Sequence, residues 1–161
     1  MIAATAIDVK DLVKTYGSRT VVDHVDLRLA PGRICGFLGP NGSGKTTTLR
    51  MICGLLTPEG GSGTCLGHDI ILERDAIKRQ TGYMTQRFGL YEDLTIRENL
   101  EFVARLYRLD HLRSRVDRSL ERLGLASRQH QLTGALSGGW KQRLALAACV
   151  LHEPKLLLLD E

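Results

Sequence analysis

The sequence predicts an α/β fold: a parallel sheet core, an antiparallel β layer before it and a helical insert within it. Three observations predict this fold, namely alternating residues near the amino terminus, two continuous apolar runs, and helical periodicity between the runs. The apolar runs are Ile34–Leu38 and Leu156–Leu159, and such runs are typical of strands buried on both faces of a parallel sheet. The chain has 161 residues, which fits a single domain because domains usually contain roughly 100–200 residues.

The antiparallel layer is predicted for about residues 1–30. Val25, Leu27 and Leu29 alternate with charged residues, which is the period of a half-buried strand. A turn signal at Tyr16-Gly17-Ser18 separates this segment from an earlier one of similar pattern. Short strands joined by such a turn indicate antiparallel pairing.

The core is predicted for about 31–86 and 144–161, and the helical insert for about 87–143, all within one domain spanning 1–161. In the insert, Thr95 and Glu98 have the spacing of a capping box, and Gly124 is a helix stop signal. The further elements expected are helices at about 46–53, 75–79, 96–107, 114–123 and 139–151, and short strands near 64–66 and 82–84.

Composition excludes several classes of protein. The net charge of +4 is weak evidence for binding to nucleic acid. The aromatic content of 5% provides no stacking platform, which single-strand binding needs. We therefore expect no nucleic-acid partner. The longest apolar run, Leu144–Leu151, is shorter than the about 20 residues of a membrane-spanning helix, and no signal peptide is expected. Four separated cysteines without a CxxC pair predict buried free thiols rather than zinc ligands or disulfides.

Residues 39–46 match the pattern G-x-x-x-x-G-K-[ST] and predict a polyphosphate site in a P-loop NTPase core. Small residues let backbone amides approach the phosphates, and the helix that follows presents its positive end to anions. Lys45 is predicted to reach the β- and γ-phosphates, and the Thr46 hydroxyl to hold Mg²⁺. The predicted nucleotide-binding residues of this segment are Gly39, Pro40, Asn41, Gly42, Ser43, Gly44, Lys45, Thr46 and Thr47.

The run Leu156–Leu159 followed by Asp160 and Glu161 has the form of a Walker B strand. Ligands of α/β folds bind at the carboxyl ends of such strands. Asp160 is predicted to hold Mg²⁺, directly or through water. Glu161 is predicted to polarise the water that attacks the γ-phosphate.

A second glycine-containing helix start lies at Leu136-Ser137-Gly138-Gly139. A helix amino terminus of this kind can bind an anion. The same residues are also compatible with an ordinary serine N-cap and a glycine turn. On the residues alone, both interpretations stay open.

The order of phosphate loop, glutamine after a short strand, Leu-Ser-Gly-Gly, and apolar strand with Asp-Glu resembles the ATP-binding cassette (ABC) ATPases of membrane transporters, from about Ile7 to Glu161. The resemblance implies that Tyr16 stacks on adenine, and that Gln86 contacts the metal or the water and senses the transmembrane partner. It also implies that Ser137, Gly138 and Gly139 bind the γ-phosphate of ATP held by a second ATP-binding subunit. ATP and Mg²⁺ are thus the implied cofactors, and Glu161, Gln86 and Lys45 the implied catalytic residues.

The stretch 86–95 resembles the subgroup that serves exporters with ABC-2-type permeases. This implies integral membrane permease subunits as partners and a peripheral location on the cytoplasmic side of the cell membrane. In the family, a D-loop and a switch histidine follow the Asp-Glu pair, so we expect a cassette truncated after the Walker B strand, with little turnover of its own. Two alternatives stay open: a non-transport ABC ATPase, and a nucleotide-binding remnant without turnover.

Arginine is frequent in the predicted insert. These arginines can form a solvent-exposed helix face, which is where charged residues usually lie. They can also form a basic surface that faces lipid headgroups or an acidic partner. Seven of these arginines carry the interpretation, namely Arg105, Arg108, Arg113, Arg115, Arg118, Arg122 and Arg128.

Overall fold

The computed structural model describes residues 5–85 and 89–160. These residues form two compact units, one on each side of the boundary between Thr81 and Gly82. None of the helices within the described ranges has the length and apolar character needed to span a bilayer.

The first unit contains the predicted antiparallel layer. Strands β1 (Ile7–Tyr16), β2 (Arg19–Leu29), β3 (Gly60–Cys65) and β4 (His68–Asp69) form one sheet in the order β2-β1-β3-β4. Each neighbouring pair is antiparallel. The prediction of an antiparallel layer from the alternating pattern is therefore confirmed.

Two helices complete the first unit, α1 (Lys45–Ile52) and α2 (Arg74–Gln80). Helix α1 contacts both β1 and β2 and buries Met51 and Ile52 completely. The apolar end of α1 thus anchors the helix, while its amino-terminal end carries the phosphate loop.

The segment Ile34–Leu38 is not a strand, and this prediction was wrong. The segment is irregular, and the side chains of Ile34 and Leu38 are 105% and 94% exposed. A strand buried on both faces needs hydrogen-bonded neighbours on both sides, and among the described residues no strand pairs with this segment.

The second unit combines a small sheet with helices. Strand β5 (Thr81–Met84), which starts at the boundary, pairs with β6 (Leu156–Leu159) and provides the parallel sheet of the fold class. Strand β6 is present as predicted but is not buried on both faces, because Leu158 is 8% exposed whereas Leu157 and Leu159 are 40% and 56% exposed. Within the described residues this sheet has two strands, so β6 has a neighbouring strand on one side and its faces are only partly covered.

The helices of the second unit are α3 (Ile96–Leu106), α4 (Leu112–Arg122) and α5 (Gly138–Val150), with short 3₁₀ turns at Ala126–Arg128 and Thr133–Ala135. Their apolar faces form one core that includes Ile96, Leu100, Val116, Leu120 and Leu144. The helical periodicity in the sequence predicted these helices correctly, because the periodic apolar residues pack into this core.

The predicted capping box at the start of α3 is confirmed. The Glu98 N–H donates to the Thr95 hydroxyl (3.2 Å), and the Thr95 N–H donates to the Glu98 carboxylate (2.8 Å). The bond from the Thr95 backbone lowers the pKa of Glu98.

Three of the four cysteines are buried free thiols as predicted, namely Cys53, Cys65 and Cys149. Cys35 is exposed, so the prediction is wrong at that position. Its exposure follows from the irregular segment in which it lies. Burial raises the pKa of Cys65 to about 12 and that of Cys149 to about 11.

Candidate functional site

The phosphate loop of the first unit curls around its own lysine. The Lys45 ammonium donates hydrogen bonds to the carbonyl oxygens of Gly39 and Pro40, both at 2.7 Å. The Ser43 N–H donates to the same Pro40 oxygen at 3.3 Å. The loop therefore brings its first residues and its lysine together.

Gly44 shows why the loop needs a glycine immediately before the helix. Its φ is 86°, a conformation that residues with a side chain rarely adopt. A Cβ placed on Gly44 would lie 2.3 Å from the backbone oxygen of Val21 in β2. Close contact between the loop and β2 is thus possible only without a side chain, and this contact fixes where α1 begins.

The first turn of α1 favours an anion. It contains no acidic residue, so nothing opposes the positive end of the helix dipole. The loop residues Asn41, Gly42 and Ser43 are exposed, whereas Thr46 and Thr47 are half-buried in the first turn. Exposed backbone amides, an ammonium and hydroxyl groups are suitable donors for a polyphosphate.

Tyr16 lies at the end of β1 with its side chain 53% exposed. The Lys14 ammonium is 5.6 Å from the centre of the Tyr16 ring and also donates to Glu59 at 2.9 Å. This hydrogen bond lowers the pKa of Glu59. An exposed ring is available for stacking on a base, and the adenine contact implied for Tyr16 stays a prediction.

Arg19 is a residue of this site that the sequence analysis missed. It pairs with Tyr16 across the hairpin, and its guanidinium lies 3.9 Å from the position that a Cβ on Gly42 would occupy. The guanidinium thus lies beside the phosphate loop. The signal was present in the sequence, since a two-residue turn makes the flanking positions cross-strand neighbours.

In the second unit, Asp160 directly follows β6 and is 9% exposed. Its carboxylate accepts a hydrogen bond from the Tyr83 hydroxyl at 2.7 Å, and its backbone N–H donates to the Met84 oxygen at 3.0 Å. A buried carboxylate at a strand end is a suitable oxygen ligand for Mg²⁺. Gln86 and Glu161, the other residues predicted here, lie outside the described residues.

Residues 5–85 and 89–160 contain no group of three or more His, Cys, Asp and Glu side chains that could hold a metal ion. The Asp160 carboxylate of the second unit and the Thr46 hydroxyl of the first are, each by itself, hard oxygen donors of the kind that Mg²⁺ prefers.

The segment Leu-Ser-Gly-Gly starts α5 as predicted. Ser137 is the N-cap, but its side chain makes no capping hydrogen bond. Ser137, Gly138 and Gly139 are exposed, and a Cβ on either glycine would meet nothing within 4 Å in the described structure. This arrangement differs from an ordinary serine cap, in which the hydroxyl satisfies a helix N–H.

Trp140, at the third position of α5, lies between two cations. The Arg128 and Arg143 guanidinium carbons are 4.7 and 5.0 Å from the ring centre. The indole also packs against the apolar core of the second unit. The side chain therefore stabilises the start of α5 and leaves the Ser-Gly-Gly backbone accessible.

The chain is similar to ATP-binding proteins of transporters. It is 42% identical over 159 residues to the probable multidrug ABC transporter ATP-binding protein YbhF of Escherichia coli (strain K12), with 98% of this chain and 28% of the relative covered. It is 42% identical over 158 residues to the bacitracin transport ATP-binding protein BcrA of Bacillus licheniformis, and the match covers 98% of this chain and 51% of that relative. The chain thus spans about half or less of these relatives.

A solved ATP-binding subunit of an ABC transporter has the same fold. The TM-score is 0.85 at 31% sequence identity, and the match covers 98% of this chain and 66% of that one. A family model described as ABC transporter matches residues 22–161, which include the phosphate loop, the Ser-Gly-Gly helix start and the Asp-Glu pair. The chain belongs to the ABC transporter family and corresponds to the ATP-binding part of its members.

Proposed function

We propose that this chain binds ATP with Mg²⁺ as the ATP-binding component of an ABC exporter, and that hydrolysis takes place in the assembled exporter rather than in the isolated chain. The observation that carries the proposal is the phosphate loop, in which Lys45 and the amino terminus of α1 are held together by hydrogen bonds and by the contact of Gly44 with β2. The names of relatives, one a probable multidrug transporter protein and one a bacitracin transport protein, favour export as the process that hydrolysis drives.

In this proposal, binding is an exchange of partners. The Lys45 ammonium leaves the carbonyl oxygens of Gly39 and Pro40 and donates to β- and γ-phosphate oxygens, while the amides of residues 39–47 donate to the phosphates. Tyr16 stacks on the adenine ring. Arg19, beside the loop, donates to a phosphate or ribose oxygen.

Thr46 and Asp160 would hold Mg²⁺, which when bound neutralises charge on the phosphate oxygens. The Tyr83 hydroxyl orients the Asp160 carboxylate through its hydrogen bond. Glu161 accepts a proton from the attacking water, and Gln86 positions that water. These assignments make Lys45, Gln86 and Glu161 the catalytic residues.

The Ser-Gly-Gly segment supports a second part of the proposal. Ser137, Gly138 and Gly139 are exposed, and the first turn of α5 contains no acidic residue. Their N–H and hydroxyl groups can therefore donate to the γ-phosphate of ATP held by a second ATP-binding subunit. Function then requires a head-to-tail pair of such subunits and permease subunits of the ABC-2 type. The pair acts at the cytoplasmic side of the membrane.

The experiment that tests the proposal is a titration with ATP and Mg²⁺. Lys45→Ala should weaken ATP binding at least about tenfold, because a charge-assisted bond to phosphate is lost. Lys10→Ala is the matched control, since Lys10 is an exposed lysine of β1 in the same unit. Equal ATP affinity of Lys45→Ala and the parent would refute the assignment of the loop.

A second pair of variants tests Arg19. Arg19→Ala should weaken ATP binding by a smaller factor than Lys45→Ala, because the guanidinium lies at the edge of the loop. Arg28→Ala, at the other end of the same strand, should bind as the parent does. Identical affinities for the two arginine variants would remove Arg19 from the site.

A further inference from the structure

The helical part of the second unit contains a small groove along α4. It encloses about 50 Å³, several times the about 10–15 Å³ that one water molecule requires. We call it the arginine groove, after the residues that α4 contributes. Its lining consists of Arg115, Arg118, Ser119, Arg122, Leu123, Val150, Leu151 and Glu153.

The three arginines of the groove lie on one face of α4. Their spacing of three and four residues makes them neighbours on the helix surface, where like charges repel. Arg115 pairs with Glu153 at 3.3 Å, which is the acidic residue in the lining. Arg118 and Arg122 form no salt bridge with any acidic residue in the described part of the chain. The groove therefore carries uncompensated positive charge.

Ser119 provides a second and independent observation. Its hydroxyl oxygen is buried and has no hydrogen-bond partner among the described residues, although Ser119 lines the groove. Buried hydroxyl groups are almost always hydrogen-bonded, and a bare one costs about 1–3 kcal/mol. Rotation of the Ser119 side chain toward the groove would let this hydroxyl donate to a ligand oxygen there.

We propose that the arginine groove binds a phosphate group. Arginine forks match the oxygens of a phosphate in a bidentate way, and the Ser119 hydroxyl adds a neutral donor to the guanidinium groups of Arg118 and Arg122. The volume admits one small anionic group and not a whole nucleotide. None of these residues belongs to the proposed ATP-binding set, so the inference is independent of the proposed function.

Phosphate in such a groove has two chemical sources: the headgroup of an anionic lipid, or a soluble phosphate compound. Both present the same oxygens to the arginines. The lipid source fits a subunit that works at a membrane, whereas the soluble source would serve as a regulatory signal. The experiment below distinguishes them.

Inorganic phosphate is titrated by calorimetry into the full chain carrying Lys45→Ala, so that the phosphate loop contributes little. In this background Arg118→Ala should weaken phosphate binding about tenfold. Ser119→Ala should weaken it severalfold without any change of charge. Arg113→Ala is the matched control, because Arg113 is an exposed arginine of α4 outside the groove, and it should bind as the background does.

Co-sedimentation with vesicles of phosphatidylcholine, with and without phosphatidylglycerol, identifies the source. Binding to the anionic vesicles that requires Arg118 and Ser119 supports a lipid headgroup. A soluble phosphate compound is supported if phosphate binding requires Arg118 and Ser119 but vesicle binding is the same with and without them. If the Lys45→Ala background does not bind phosphate, or if Arg113→Ala weakens binding as much as Arg118→Ala, the groove is no site and the proposal fails.

Discussion

The phosphate loop and the Ser-Gly-Gly segment both place glycines at the start of a helix, but the two starts have opposite surroundings. At the first, Gly44 has a positive φ and lies against the backbone of β2. At the second, neither Gly138 nor Gly139 has a positive φ, and a side chain on either would meet nothing nearby in the described residues. The fold needs the glycine before α1, whereas nothing described in this chain needs the glycines at the start of α5.

This difference separates two reasons for glycine. A glycine that the fold needs is explained by contacts within the chain. A glycine that the fold does not need weakens the helix, since glycine in a helix is less stable than alanine by about 0.5–1 kcal/mol. The second kind points to something that approaches the bare backbone from outside, which is the role proposed for residues 137–139.

The largest effect is expected at the start of α1. Gly44→Ala should lower the free energy of unfolding by about 3 kcal/mol or more, because backbone strain and a collision with the Val21 oxygen act together. Gly32→Ala is the control: Gly32 has a φ of 70° but open space around its Cβ position, so it tests strain without collision. Denaturant unfolding of both variants measures the difference, and equal values would show that the contact with β2 is unimportant.

The second prediction compares a thiol that precedes α1 with a thiol near the end of α5. Cys35 precedes the phosphate loop and is exposed, whereas Cys149 near the end of α5 is buried with a pKa raised to about 11. At about pH 8 roughly one thousandth of such a thiol is thiolate, the reactive form. We expect iodoacetamide to modify Cys35 about a hundredfold faster than Cys149.

Peptide mass spectrometry at successive times measures both rates. Because burial raises the pKa of Cys149, its rate should increase as the pH rises toward about 11. Modification of Cys149 at the rate of Cys35 at about pH 8 would contradict the difference in packing between the two regions.

A smaller effect of opposite sign is expected at the start of α5. The double variant Gly138→Ala/Gly139→Ala should raise the free energy of unfolding by about 1 kcal/mol, since alanine restricts the unfolded chain and fits the open space. In the assembled exporter the same variant should lose ATP-driven turnover while keeping ATP binding. Greater stability with unchanged turnover would leave the two glycines without a role toward a second subunit.

The smallest effect concerns the two hydroxyl N-caps of the second unit. Ser137→Ala should change the free energy of unfolding by less than about 0.5 kcal/mol, because Ser137 makes no capping bond. Thr95→Ala should lower it by about 1 kcal/mol, because its capping box is lost. Thermal unfolding of both variants checks this, and a similar loss in the two would show that Ser137 does cap α5 in solution.

Local patterns predicted most of the fold. The hairpin of β1 and β2, the capping box before α3 and the apolar faces of α3 and α4 depend on residues close in sequence, so period and turn chemistry were enough. The strand predicted at Ile34–Leu38 failed because a buried strand depends on distant neighbours, which a run of apolar residues does not reveal. Burial of β6 was overestimated for the same reason.

The site shows the same division. The motif predicts a phosphate site at residues 39–47 because backbone amides and a lysine at fixed spacing suit phosphate binding, and this role stays a prediction. Arg19 escaped notice because its place beside the loop depends on how the hairpin is packed against α1. The boundaries proposed for the insert, about 87–143, and the roles of Gln86 and Glu161 stay predictions.

The hydrogen bonds of Lys45 with Gly39 and Pro40 have a consequence for selectivity. The carbonyl oxygens of Gly39 and Pro40 compete with an incoming anion for the Lys45 ammonium. The anion must displace both oxygens before the ammonium can donate to it. A single phosphate offers few oxygens in return, whereas a triphosphate can also engage the amides along the loop. We therefore expect these two hydrogen bonds to disfavour small anions relative to long polyphosphates.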